Sequence, residues 1–231
     1  MIAWLAPASE AGTLFGIPMN GTGGAGAPMQ IILLLTALTL LPAAIMSLTP
    51  FLRIVVVLHF LRQALGTQTT PSNQVLVGLA LFLTVLVMQP VIGEVYTNAL
   101  QPMQKGEITS QQAWEKASPT LKSFLLKFAR EKDIKLFLEI SRAPAPAKPS
   151  DVGFAVLAPA YTLSELKASF QIGAVLFLPF LVIDLVVASV TLSVGMMQLP
   201  PVMVSAPFKI LLFVLVDGWN LVVGSLVKSF Y

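Results

Sequence analysis

The chain has 231 residues, room for one or two domains and one sizeable core. Only 25 of them are Asp, Glu, Lys or Arg, against roughly 58 in an average soluble domain of this length, while 56 % are hydrophobic and the mean hydropathy is +0.83. Too little charge remains to coat a water-facing surface, which argues against an ordinary cytosolic domain.

In chain order, residues 1–27 read as a flexible N-terminal segment or signal remnant. The start lacks a basic region and carries only a very short apolar run. Within this segment Gly21, Gly23 and Gly26 spell GxGxxG, but no strand precedes them and no βαβ unit surrounds them, so a linker is the reading. An uncharged apolar run of about residues 28–49 follows. Thr49 then Pro50 reads as a helix cap followed by proline at the first helical position, so a second helical piece begins there. Together 28–65 would give about 57 Å of helix, against a hydrocarbon core of about 30 Å. Gly66 to Asn73 supplies a stop and a new cap.

The next apolar helix starts near Gln74 and runs toward Leu100, completing an N-terminal helical hairpin over 28–100. Residues 101–169 form a polar insert. From Glu94 to Lys167 stand ten Lys/Arg and eight Asp/Glu, 18 of the 25 formal charges. Ala113 to Glu139 carries Trp114, Leu121, Leu125 and Phe128 with charges on complementary positions, the pattern of amphipathic helices. A Pro-rich linker at 143–149 interrupts the insert. The last third, 170–231, reads as a C-terminal hairpin. Its arms run 165–195 and 206–229, joined by a turn whose tandem Pro200 and Pro201 forbid continuous helix. Four stretches, about 28–49, 74–93, 170–194 and 206–227, thus satisfy the roughly 20-residue requirement for a bilayer span. The fold class is all-α: four long apolar helices in hairpins with a helical insert. Short basic loops holding Arg53, Arg62 and Lys209 without acids prefer the cytoplasm. That places both termini and the insert outside, in the periplasm of a bacterium.

The chemistry the chain can carry is limited. Basic and acidic residues of the insert interleave, so no concentrated basic face exists for nucleic acid. Absence of Cys removes thiolate metal sites, thiol catalysis and disulfides. His59 is the only histidine and reads as satisfied structure. No HExxH, GxSxG or P-loop appears, so no enzyme, cofactor or metal is expected. Asp184 sits in an otherwise apolar helix, where a carboxylate costs about 3 kcal/mol unless it faces protein or water. By helical rise Asp184 lies about 22 Å up one arm of the hairpin and Lys209 about 15 Å up the other, so they can meet within one chain or between neighbours. Asp217, beside Gly218, Trp219 and Asn220, reads as a buried polar knot bonded to neighbouring helices. Met196, Met197 and nearby Met203 either pack the turn or, being flexible gap-fillers, line a pore from several subunits.

Two blocks resemble the FliP/SctR family, the export-gate proteins of flagellar and virulence type III secretion. One runs Pro50-Phe51-Leu52-Arg53 through Leu61-Arg62-Gln63-Ala64-Leu65-Gly66 and Pro71-Ser72-Asn73-Gln74. The other holds Phe170-Gln171-Ile172-Gly173, Phe177 through Ser189, Gly195-Met196-Met197, Leu199-Pro200-Pro201, Pro207-Phe208-Lys209 and Val216-Asp217-Gly218-Trp219-Asn220. The Gly-Trp-Asn block is closer to the flagellar branch. The resemblance implies a homo-oligomer with FliQ-type and FliR-type subunits, near FlhB-type and FlhA-type export proteins, in the bacterial inner membrane and flagellar basal body. It implies assembly into an oligomeric helical tube, a conduit for unfolded protein substrates. It makes Met196, Met197, Gln198 and Leu199 the gate, with Gln198 where the family commonly has a third Met, and makes Asp184, Lys209, Glu165 and Arg130 candidates for salt bridges between subunits. The rival reading from another class is a four-helix secondary transporter that uses Asp184 for coupling.

Overall fold

The computed structural model describes residues 13–14, 17–18, 26–142, 146–195 and 200–231. Its first element is a two-residue antiparallel ladder, β1 (Thr13–Leu14) with β2 (Ile17–Pro18); the described residues after it form helices and their connections. Helix α1 (Gly26–Leu48) takes the whole first apolar run; Ile31 to Met46 stay exposed, while at its end Leu48 packs on the cluster of Leu125, Leu157 and Tyr161 and Ser47 O accepts from Thr162 Oγ1 at 3.1 Å. Thr36, Ser47 and Thr49 return their hydroxyls to carbonyls four residues back, which lets polar side chains sit on an apolar helix without stranded donors.

The chain breaks after Leu48 and restarts as α2 (Phe51–Ala64). Thr49 Oγ1 accepts from the Phe51 N–H at 3.4 Å and Pro50 provides the capping carbonyl, so the helix starts one residue later than the Thr-Pro pair suggests. Phe51, Ile54, Val57, Leu58 and Leu61 recur at helical spacing and are buried, which makes α2 the central rod of the fold. Gly66, at φ +77°, ends it in the left-handed region. The following loop is held by Arg62, which donates to Asn73 Oδ1 at 2.6 Å and Pro71 O at 3.3 Å.

Helix α3 (Asn73–Val95) begins after Ser72 and continues through a π-turn at Tyr96–Leu100 into α4 (Gln101–Gln104). The insert then folds as α5 (Ser110–Phe128), opened by a capping box between Thr109 and Gln112, and α6 (Glu131–Ser141). The expected amphipathic stretch is thus two helices, parted at Ala129 and Arg130 where the backbone is extended. After a single 3₁₀ turn at Pro149–Asp151 comes α7 (Phe154–Ser193), 40 residues without a break despite Pro159 and Pro179. It starts well before the expected outward arm, so the boundary drawn at 169/170 falls inside it. The composition changes from polar to apolar there, but no residue between Gly153 and Gly195 ends the helix.

The return arm also departs from expectation. It starts at Pro201 as α8 (Pro201–Leu215) and bends by 67° into α9 (Gly218–Lys228). The corner is Asp217 at φ +52° followed by Gly218, where an added Cβ would lie 2.2 Å from the Phe213 ring; only glycine leaves room for that ring.

Packing is organised about α2. One cluster joins Phe51, Ile54, Val57 and Leu58 to Leu76, Ala80, Leu83 and Val87 of α3 and to Leu226 and Phe230 at the end of α9. A second joins α5 to the start of α7 through Phe124, Leu125, Leu157 and Tyr161. A third joins Leu61 to Phe180 and Phe213. The outer faces of α3, α7 and α8 remain apolar and bare. Among the described residues three helices are long and apolar enough to cross a membrane, or four if the bent α8–α9 pair is one span.

Candidate functional site

Charges placed on apolar helices are costly, so the arrangement of the few present is informative. Arg53 on α2 meets Glu165 on α7 in a bidentate pair: Nε donates to Oε2 at 2.7 Å and Nη2 to Oε1 at 2.5 Å. Both side chains are almost fully enclosed. The remaining guanidinium nitrogen, Nη1, donates to Ser229 Oγ at 3.1 Å and to Ser229 O at 3.5 Å. The guanidinium lies 4.1 Å from the Phe230 ring centre and 5.5 Å from that of Phe128. This one cation therefore ties α2, α5, α7 and the end of α9 together, with fork geometry that fits a carboxylate. Tyr161, one turn before Glu165, has a buried hydroxyl with no partner among the described residues.

A second network closes the α5–α6 break. The Arg130 N–H donates to Ser164 Oγ at 2.9 Å, and the Ser164 hydroxyl lies 2.7 Å from Asp133 Oδ2 and 2.8 Å from Ala160 O. Lys167 donates to the other oxygen of Asp133. The Arg130 side chain reaches Gln171 Oε1 at 2.7 Å. Burial of Asp133 would raise its pKa, but the hydrogen bonds from Lys167 and Ser164 and the charges of Lys167 and Arg130 outweigh it and hold the carboxyl below its usual range.

The third network spans the C-terminal hairpin. Lys209 Nζ on α8 donates to Asp184 Oδ2 on α7 at 2.6 Å, and the Ser205 hydroxyl donates to Asp184 Oδ1 at 2.5 Å. Lys209 is buried, at 4 % side-chain exposure, while Asp184 keeps 30 %. The chain thus brings the two residues together, the long Lys209 side chain spanning the difference of about 7 Å that helical rise sets between them. All four charges that the resemblance assigns to contacts between subunits have a partner inside the chain: Asp184 with Lys209, Glu165 with Arg53, and Arg130 with Gln171.

The four gate candidates, Met196, Met197, Gln198 and Leu199, lie outside the described residues. Their flanks are defined: Gly195 at φ +80° ends α7, and Pro200 with Pro201 opens α8. Met203, in the first turn of α8, is 74 % exposed. Asp217 corrects an expectation. Instead of sitting in a buried knot it is exposed at the α8–α9 corner, because Gly218 and Phe213 occupy the interior there. His59 is half-buried with Nδ1 3.2 Å from Arg62 Nη2. Among the described residues no group of three or more His, Cys, Asp or Glu side chains could hold a metal.

Arg53 is the residue that sequence reasoning missed as a partner of Glu165. It is 112 positions away and served there only as a marker of orientation. The available signal was a cation followed at once by Ile54-Val55-Val56-Val57-Leu58, which needs a counter-charge if that helix is buried.

The family model described as "FliP family" matches residues 34–226. Flagellar biosynthetic protein FliP of Cereibacter sphaeroides is 52 % identical over 214 residues, 92 % of this chain and 71 % of that protein. The protein of the same name from Pectobacterium carotovorum subsp. carotovorum is 51 % identical over 203 residues, 88 % of this chain and 79 % of its own. That of Bacillus subtilis (strain 168) is 49 % identical over 202 residues, 87 % of this chain and 91 % of its own.

Proposed function

The chain belongs to the FliP family, and we propose that it is a pore-forming subunit of the flagellar protein export gate in the bacterial inner membrane. Several copies, with FliQ-type and FliR-type subunits and FlhB-type and FlhA-type export proteins nearby, enclose a conduit for unfolded protein substrates. The turn Met196-Met197-Gln198-Leu199 stoppers it on the cytoplasmic side, and the insert stands in the periplasm. No covalent chemistry is involved. Asp184, Lys209, Glu165, Arg130 and Asp217 are the charges that brace the subunit for its contacts with neighbours.

The observation that carries this reading is the mismatch between charge and grease. The inward-facing charges are paired, whereas Leu34, Leu38, Phe82, Phe170, Leu178 and Leu215 stand exposed along α1, α3, α7 and α8. A span buried on no side needs lipid or other helices to cover it, and helices in membranes associate by close packing of such faces. Asp184 is held on one oxygen by Lys209 Nζ and on the other by the Ser205 hydroxyl, which supports a bracing role more than a coupling one.

Two measurements test the proposal. The detergent-extracted particle should have a mass of several copies and grow on co-expression with the partners; a stable monomer would refute it. Hydrophobic constrictions close by excluding water, so replacing Met196 and Met197 together by Ala should raise ion leakage across the membrane, and unchanged conductance would count against the gate. If the transporter reading held instead, Asp184→Asn would abolish solute uptake and leave assembly intact. Under the gate reading Asp184→Asn or Lys209→Ala lowers the yield of oligomer.

A further inference from the structure

Six charged side chains lie on α7, α8, α9 and the corner between the last two: Glu165, Lys167, Asp184, Lys209, Asp217 and Lys228. Glu165 is paired with Arg53, Lys167 with Asp133, and Asp184 with Lys209. The two left over are opposite in sign and exposed. Neither Asp217 nor Lys228 has a side-chain hydrogen bond or ion pair among the described residues.

They stand at the two ends of α9, eleven residues apart, which is about three full turns. Three turns of helix put about 16 Å between them along the axis. No rotamer lets them pair within one chain. The strip between them holds Asn220, Leu221, Gly224 and Ser225, opposite the face that sends Leu226 into the core. At Gly224 an added Cβ would meet nothing nearer than Asn220 Oδ1 at 3.9 Å, so a neighbouring helix can bring its backbone close there. The strip is anchored from behind by Phe213 under Gly218 and by Arg53 on Ser229 and Phe230.

We propose that this strip is a contact between copies of the chain, with the Asp217 carboxylate of one copy against the Lys228 ammonium of the next. The proposal rests on the oligomeric reading above and specifies one of its interfaces. Each copy offers an acidic end and a basic end, so the contact is head-to-tail: it uses different patches on the two partners and passes on from copy to copy. It also relieves Asp217, whose charge would otherwise face lipid at a helix corner.

The chain carries no cysteine, so thiols can be placed at will. The double variant Asp217→Cys/Lys228→Cys, treated in membranes with a short bifunctional thiol cross-linker, should give a ladder of dimers, trimers and larger species, while either single-cysteine variant gives none. A product that stops at the dimer would overturn the head-to-tail contact. A particle of several copies with no cross-link would overturn the interface and leave the oligomer standing, its strip facing lipid or another partner. A monomeric particle would overturn both. As a second arm, Asp217→Asn keeps a residue that tolerates the left-handed corner, and Lys228→Gln keeps length. Each should lower the assembled fraction by roughly three- to tenfold, and the double variant should fall no further than either alone. Independent, additive losses would overturn the pairing.

Discussion

Gly173 occupies a position that no side chain can share. A Cβ there would lie 2.4 Å from the Phe60 ring, which stacks edge-on against Phe170 and Phe177 on either side of it. Gly173→Ala must therefore push Phe60 out of its slot, at about 1–3 kcal/mol, seen as a lower unfolding temperature of the extracted chain. Phe60→Leu in the same background should recover part of the loss, whereas Phe60→Leu alone should destabilise. At Arg53 the argument concerns charge. Removing one partner leaves the other buried and uncompensated, so Arg53→Ala or Glu165→Ala should cost about 3–5 kcal/mol, and Arg53→Met with Glu165→Leu together far less than either. Denaturation of the three variants checks this; equal losses would mean that the pair contributes through packing alone.

At the scale of elements, the junction of α5, α6 and α7 depends on one carboxylate. Asp133 is held below its usual pKa in the folded chain, so folding releases its proton more readily than the unfolded state does. The stabilisation is complete above the unfolded value near 4 and declines as pH falls through the lower folded value. Protection against hydrogen exchange in α6, corrected for the intrinsic pH dependence of exchange, should fall through that acidic window, and Asp133→Asn should flatten the dependence while lowering protection at neutral pH by on the order of 1–2 kcal/mol. Much of the element layout was legible in the sequence because apolar runs and helix stops are local signals: the end of α2 at Gly66, the start near Ser72, the Pro200-Pro201 break. Asp184 and Lys209 stood out as charges in apolar helices, but helical rise, about 22 Å against about 15 Å, left open whether they meet within one chain or between copies; within the chain they pair. The start of α7 at Phe154 was not legible, because composition changes at Phe170 while the backbone hydrogen-bond ladder runs through. The α8–α9 corner carried an Asp217-Gly218 turn signal, but apolar neighbours on both sides masked it. The bond from Arg53 to Glu165 joins segments 112 residues apart, and no single sequence states such a pairing.

For the whole molecule, the decisive asymmetry is that α1 is exposed from Ile31 to Met46 and meets the interior of its own chain at its end, through Ser47 and Leu48, while α2, α3, α5, α7 and α9 share the clusters that hold it together. Stability and assembly are therefore carried by different surfaces. Changing exposed Leu34, Leu38 and Ile45 of α1 to Ser should shift the unfolding of the isolated chain by no more than about 0.5 kcal/mol per site, as for surface positions that touch nothing. The same change removes apolar area that lipid or sibling helices must cover, at about 25 cal/mol per Å², so membrane retention and the yield of the assembled particle should fall sharply. Thermal melting in detergent and native mass of the particle read these two properties separately. If melting fell with assembly, α1 would have to fold back onto the α2-centred core, and its bare surface in the single chain would not be the face it presents to partners.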